Sequence, residues 1–263
     1  MKTTIKLLGA LLLFGAITIS SCKKDPDETT TPATPAVTTG SLTLHLENMV
    51  DTNGLVLNTK FYTNANNDTF NVTTFKYYIS NIVLTNSSGL SYTESNSYHL
   101  IDASDTMTCD INLTGVPLGN YDHVSFMIGV DSVHNVSGAQ TGALDPANGM
   151  FWSWSSGYIM AKFEGTSPQS TAAGNIVLFH CGGFSGVNNV LKTVSPTFPV
   201  GALAMVSATV TPEIHFSVDL AEWFKNPSNI SFSTLNTIHM PGASAKTIAD
   251  NYADMFSIAH IHN

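Results

Sequence analysis

Alternation of apolar with polar residues recurs along the chain and constrains its fold more than any other feature. Leu42, Leu44 and Leu46 alternate with Thr43, His45 and Glu47, and Val124, Phe126, Ile128 and Val130 form a second such row. A period of two matches the alternating side-chain directions of a strand, so each segment offers one face for burial. The stretch from Phe75 to Leu84 is rich in β-branched and aromatic residues and runs into Asn86-Ser87-Ser88-Gly89, a turn composition. Shorter strands are expected at residues 98–101 and 107–113, with a turn at 102–105. The alternation predicts an all-β chain, an antiparallel β-sandwich with one or two short helices near the C-terminal end. One helix is expected at 219–225, capped by Asp219 and ending before Pro227. The other is expected at 243–257, where Ala245, Ile248, Ala249, Tyr252, Met255 and Phe256 keep a spacing of three to four.

The first residues read as an address. Lys2 and Lys6 precede an apolar run from Leu7 to Ile19, and Ser20-Ser21-Cys22 follows, so residues 1–21 are expected to be a signal peptide. Ile19-Ser20-Ser21-Cys22 resembles a bacterial lipoprotein signal, which implies a lipidated Cys22 and attachment to a membrane through that lipid. Residues 22–39 are Thr- and Pro-rich with few apolar side chains, the composition of a flexible tether. The folded domain is then 40–263. Formal net charge is −9, and it becomes more negative once Lys2 and Lys6 leave with the leader. No basic face is available for phosphate, so nucleic acid is not an expected partner.

Cys109 and Cys181 remain after Cys22, and an exported compartment permits a disulfide between them as readily as two buried thiols. Asp131 and Asp145 flank a long polar passage and read as turn residues. The segment Gly149-Met150-Phe151-Trp152-Ser153-Trp154-Ser155-Ser156-Gly157-Tyr158 sets Met150, Trp152 and Trp154 on one face if extended, as a core strand or a pocket-lining edge. His180 continues an apolar row with Ile176 and Leu178, as a core histidine or a ligand. His45 and His215 fall on polar faces and read as surface residues. His260 and His262 point the same way in an extended segment, so both imidazoles can reach one ion. Three neutral imidazoles, His180, His260 and His262, suit copper or, alternatively, zinc. Neither Gly-x-Ser-x-Gly, His-Glu-x-x-His nor a phosphate-cradling loop occurs, so no catalytic nucleophile is nominated and no enzyme activity is expected.

Phe75-Lys76-Tyr77-Tyr78-Ile79-Ser80-Asn81-Ile82, Gly129-Val130-Asp131, the Trp152/Trp154 run, Phe179-His180-Cys181-Gly182-Gly183 and Met255-Phe256 through His260-Ile261-His262 occur in an order that resembles MbnP-like copper-binding lipoproteins. The resemblance covers most of the chain from Gly40 onward. It implies a copper-binding protein of the outer membrane, at its periplasmic face or the cell surface. It also implies a dihaem cytochrome c peroxidase-like partner that oxidises a tryptophan, Trp152 or Trp154, to kynurenine. His180, His260 and His262 carry over as ligands; Asn48 stands where many relatives have histidine, and Cys181 is unusual. The competing expectation is a cell-surface module for glycans or proteins, with Trp152, Trp154 and Tyr158 as a stacking platform.

Overall fold

A computed structural model describes residues 38–138, 140–153 and 156–263. The expected leader, the expected tether as far as Val37, Cys22 and Trp154 lie outside the described residues; the tether's last expected residue, Thr39, already opens the first strand. The principal strands, in chain order, are β1 (Thr39–Val50), β2 (Thr69–Thr85), β3 (Tyr98–Asp102), β4 (Asp110–Pro117), β5 (His123–Ile128), β6 (Phe151–Ser153), β7 (Gly157–Thr166), β8 (Ile176–Gly182), β9 (Glu213–Asp219) and β10 (Phe256–His262). Among the described residues two α-helices accompany them, α1 (Ser132–Asn135) and α2 (Ala243–Tyr252).

The first sheet runs β10, β9, β1, with β4 also paired to β1. β9 lies parallel to β1, with Leu44 opposite Ile214 and His45 opposite His215. β10 and β4 are antiparallel to their neighbours. The second sheet is built on β2, which pairs β5, β7 and β3; β8 lies outside β7, and β6 also pairs β7. β2 serves several partners by bending. Its register against β5 shifts between Ser80 and Val83, where Asn81 takes φ 55°. Asparagine tolerates that left-handed conformation better than the β-branched residues around it.

The alternation read from the sequence sorts the faces. Leu42, Leu44, Leu46, Ile214, Phe216 and Val218 of the first sheet are buried, as are Phe75, Tyr77, Phe126, Phe163 and Phe179 of the second. The rows meet: the Phe126 ring packs edge-on against Phe216 at 5.8 Å and Phe256 at 4.9 Å between centroids. Each such ring removed from water contributes about 1.5–3 kcal/mol. Trp223 is wholly buried beside Phe75, and its Nε1 donates to Met255 Sδ at 3.2 Å. The result is a mostly antiparallel β-sandwich with little helix, as the alternation predicts.

Local expectations differ in three places. Residues 219–225 form a single 3-10 turn, Leu220–Phe224, which the Asp219 side chain caps by accepting from Ala221 N. A longer helix is stopped because the residue before Pro227 is disfavoured in helical conformation. The second expected helix ends at Tyr252, and Phe256 already belongs to β10. Met255 and Phe256 are buried, but the chain reaches the core there by turning back along β9, where Asp219 N donates to Met255 O at 2.8 Å. At 107–113 the strand begins only at Asp110. Asp105 accepts from Met107 N and winds Thr106–Cys109 into a 3-10 turn that leaves Met107 83% exposed. Asp131 and Asp145 are turn residues as expected, capping α1 and the 3-10 turn Pro146–Asn148.

Candidate metal centre

The outer face of the first sheet carries a row of histidines. On β9, Ile214 and Phe216 are directed to the core, so His215 lies on the opposite face with Glu213 and Ser217. Register then lines up His45 of β1, His215 of β9 and His260 of β10 across three strands. The last of these placements depends on a β-bulge. Phe216 faces Ile258 and His215 faces His260, so Ala259 is an extra residue on β10. Without it, His260 and His262 would share the core-facing parity of Phe256 and Ile258. One inserted residue moves the pair to the outer face.

The imidazoles are close. His215 and His260 stack with centroids 4.3 Å apart and planes 21° from parallel; His262 is edge-on, 5.2 Å from His215 and 4.6 Å from His260. One ligand nitrogen from each of the three lies within 4.8 Å of the others. Nitrogens bound at about 2.0–2.1 Å in a tetrahedral site are about 3.4 Å apart, so modest side-chain rotation closes the three on one ion. Glu213 hydrogen-bonds His215 Nε2, which leaves Nδ1 of that ring for a metal. A carboxylate behind a ligand imidazole orients the ring and raises its basicity. His45, 4.4 Å from His215, is similarly held at Nδ1 by Asp110 Oδ1 at 2.6 Å. Partial desolvation, together with the charges of His215 and His262, holds the His260 pKa below the ordinary imidazole value, which keeps its lone pair available.

Two of the three expected ligands, His260 and His262, are thus together, and their third imidazole is His215. His180 is elsewhere, on the outer face of the second sheet. Its Nε2 donates to Glu164 Oε1 at 2.7 Å, Thr74 Oγ1 donates to the other carboxylate oxygen at 3.0 Å, and the His239 ring stands 6.2 Å away. Burial lowers the pKa of His180, opposed by Glu164. The reading of His215 as a plain surface residue overlooked its neighbours. The available signal was that His45 and His215 both interrupt a polar face in mid-strand; strand order was needed to join them.

Trp152, on β6, also belongs to the second sheet. Its ring lies where a side chain on Gly182 would go, with Cζ3 2.5 Å from an ideal Cβ, two residues along β8 from His180. Tyr158 is wholly buried, its hydroxyl donating to Leu144 O at 2.6 Å, so it takes no part in an exposed stacking platform. Cys109 and Cys181 are both free thiols. Cys109 sits under β1, accepting from Asn48 Nδ2 at 3.6 Å, whereas Cys181 is sealed in the second sheet opposite Ala161. Cys109 closes the 3-10 turn before β4 and Cys181 lies on β8 of the second sheet, so the disulfide alternative is not formed. Burial pushes both thiols up.

The comparisons agree with this architecture. MbnP from Methylosinus trichosporium has a similar fold, with a TM-score of 0.52 at 13% identity over 79% of this chain and 84% of that one. No curated protein is recognisably similar in sequence. The family model for MbnP matches residues 39–241, which takes in all principal strands except β10. By that match the chain belongs to the MbnP family.

Proposed function

We propose that the protein is an exported, copper-binding accessory protein without turnover of its own, and that His215, His260 and His262 hold the ion. Family membership suggests copper handling. The observation that carries the site is the convergence of three imidazole nitrogens within 4.8 Å on one solvent-facing sheet surface. Imidazole suits copper and zinc, and no thiolate joins the set, so a divalent ion is favoured over one selected by sulfur. Isothermal titration of the purified chain with Cu(II), Cu(I) and Zn(II) tests it. One equivalent should bind, and the double substitution His260→Ala/His262→Ala should abolish it; unchanged affinity would remove these residues as ligands.

The finer reading completes the picture. Cys22 carries a lipid that anchors the protein at the outer membrane through the tether, and Cys22→Ala should release it from membranes after a high-salt wash. A dihaem peroxidase-like partner oxidises Trp152 or Trp154 to kynurenine, whose aniline nitrogen and carbonyl are better ligands than an indole N–H. A kynurenine at 152 would have His180 as its nearest imidazole along β8, making a second place for copper on the other sheet. Peptide mapping of protein made with and without that partner decides this: an unmodified pair of tryptophans in its presence removes the oxidation step while leaving the histidine site intact.

A further inference from the structure

Another cluster of donor atoms lies where α1 meets β3, on residues that belong to neither histidine site. The Tyr98 hydroxyl donates to Asp131 Oδ2 and lies 2.6 Å from His134 Nδ1, and the same imidazole nitrogen is 3.2 Å from Asp131 Oδ1. Each group is held from behind. Asp131 caps α1 by accepting from His134 N through Oδ1, which leaves Oδ2 turned to the phenol. Asn81, at the left-handed break in β2, reaches that Oδ2 with its Nδ2 at 3.5 Å. Tyr98 is set by its register with Ser80 of β2, and the α1 backbone by the buried Asn135, whose Nδ2 donates to Asp131 O at 2.9 Å. Tyr98 and His134 line a cavity of about 340 Å³ with Asn96, Thr141 and Leu144, so the open side of the cluster has room for solvent or a small anion.

We propose that Tyr98 Oη, Asp131 Oδ2 and His134 Nδ1 form a separate metal site, built for a hard trivalent cation of the ferric iron class. Neighbouring donors bound at about 2.0–2.1 Å in an octahedral site are about 2.9 Å apart. The separations of 2.6 and 3.2 Å around His134 Nδ1 bracket that value, so the cluster closes on an ion with little movement. Its chemistry selects the ion. Two anionic oxygens and one imidazole make a mixed set: calcium and magnesium take oxygen without imidazole, copper and zinc favour sets richer in nitrogen or sulfur, and iron accepts both kinds. Binding also costs a proton. As the Oη–metal bond forms, the Tyr98 O–H bond breaks and its proton leaves to solvent, while the imidazole coordinates as the tautomer protonated at Nε2. A trivalent ion displaces a phenolic proton beside a carboxylate at neutral pH far more readily than a divalent one. The three protein donors take one side of the ion, and its remaining positions face the cavity, open to water or to a carboxylate anion that delivers the iron.

The test uses the full-length chain carrying His260→Ala/His262→Ala, which removes the proposed copper ligands, titrated with ferric citrate and followed by visible absorption and EPR. One equivalent should bind, with growth of a phenolate-to-iron charge-transfer band, a high-spin ferric signal and release of one proton per ion. Tyr98→Phe in that background should lose the band. Asp131→Asn keeps the helix cap, since asparagine caps as well as aspartate, and should stay folded while losing tight iron binding. Iron bound without the band, or a band that survives Tyr98→Phe, would overturn the phenolate ligand and with it the site. Zn(II) that displaces the iron at equal concentration would overturn the choice of a trivalent ion. A folded chain that takes up no iron would overturn the proposal and leave the cluster as a hydrogen-bond network tying α1 to β3. None of these results bears on copper at His215, His260 and His262, which the titration of the parent chain decides.

Discussion

His215 and His260 come from strands paired antiparallel and stack almost in register, with 4.3 Å between ring centroids. Glu213 holds the far nitrogen of His215. Removing the ring should cost more than removing its support. Glu213→Gln is expected to weaken Cu(II) binding about 10-fold, and His215→Ala by about 100-fold or more. His180→Ala, on the other sheet, should stay within about 2-fold, as distant sites act independently. Chelator competition measures all three.

The His180–Glu164 pair predicts acid sensitivity. Burial lowers the His180 pKa from its ordinary 6.5. For Glu164, burial acts upward, but the hydrogen bonds from His180 and Thr74 win and bring the carboxyl below 4.5. Both folded values lie below the unfolded ones, so the unfolded chain takes up more protons as pH falls and the stability contributed by each group is lost on acidification. The loss starts below about pH 6.5 for His180 and below about 4.5 for Glu164. His180→Asn should flatten the fall in melting temperature between pH 6.5 and 4.5 relative to the parent; an unchanged slope would show that the pair does not govern it.

Gly182 should not tolerate a methyl group. Its Cβ would meet Trp152 Cζ3 at 2.5 Å and Tyr158 O at 2.7 Å. Gly182→Ala is expected to cost about 1–3 kcal/mol and to lift Trp152 off β8. Red-shifted tryptophan emission that disappears in a Trp152→Phe background identifies the displaced ring.

Asn135 ties α1 to the segment after the tryptophans. Its Nδ2 donates to Val130 O and to Asp131 O, the latter at 2.9 Å, and its Oδ1 accepts from Tyr158 N at 2.9 Å. The side chain is 2% exposed, so truncation strands backbone groups away from water. Asn135→Ala should lower stability by about 1–3 kcal/mol for each group left without a partner, read as a lower urea midpoint with an unchanged slope.

The strands and their core faces were legible in the sequence because a buried face imposes a period of two that is written locally, as in Leu42, Leu44 and Leu46. The cap at Asp219 and the turn positions of Asp131 and Asp145 were legible for a related reason, since each acts on the backbone a few residues onward. The extended His260-Ile261-His262 segment also followed from local pattern. What joins those two to His215 did not. The parallel pairing of β1 with β9 is a contact between distant parts of the chain, decided by how the sheets close over the shared core. The outward turn of the pair rests on one extra residue, Ala259, in the β9–β10 ladder. A bulge is a mismatch between two strands, so a single strand's sequence does not specify it, yet it reverses the face of every residue beyond it. Tertiary packing alone therefore decided that His215 is the third imidazole and that His180 stands on the other sheet.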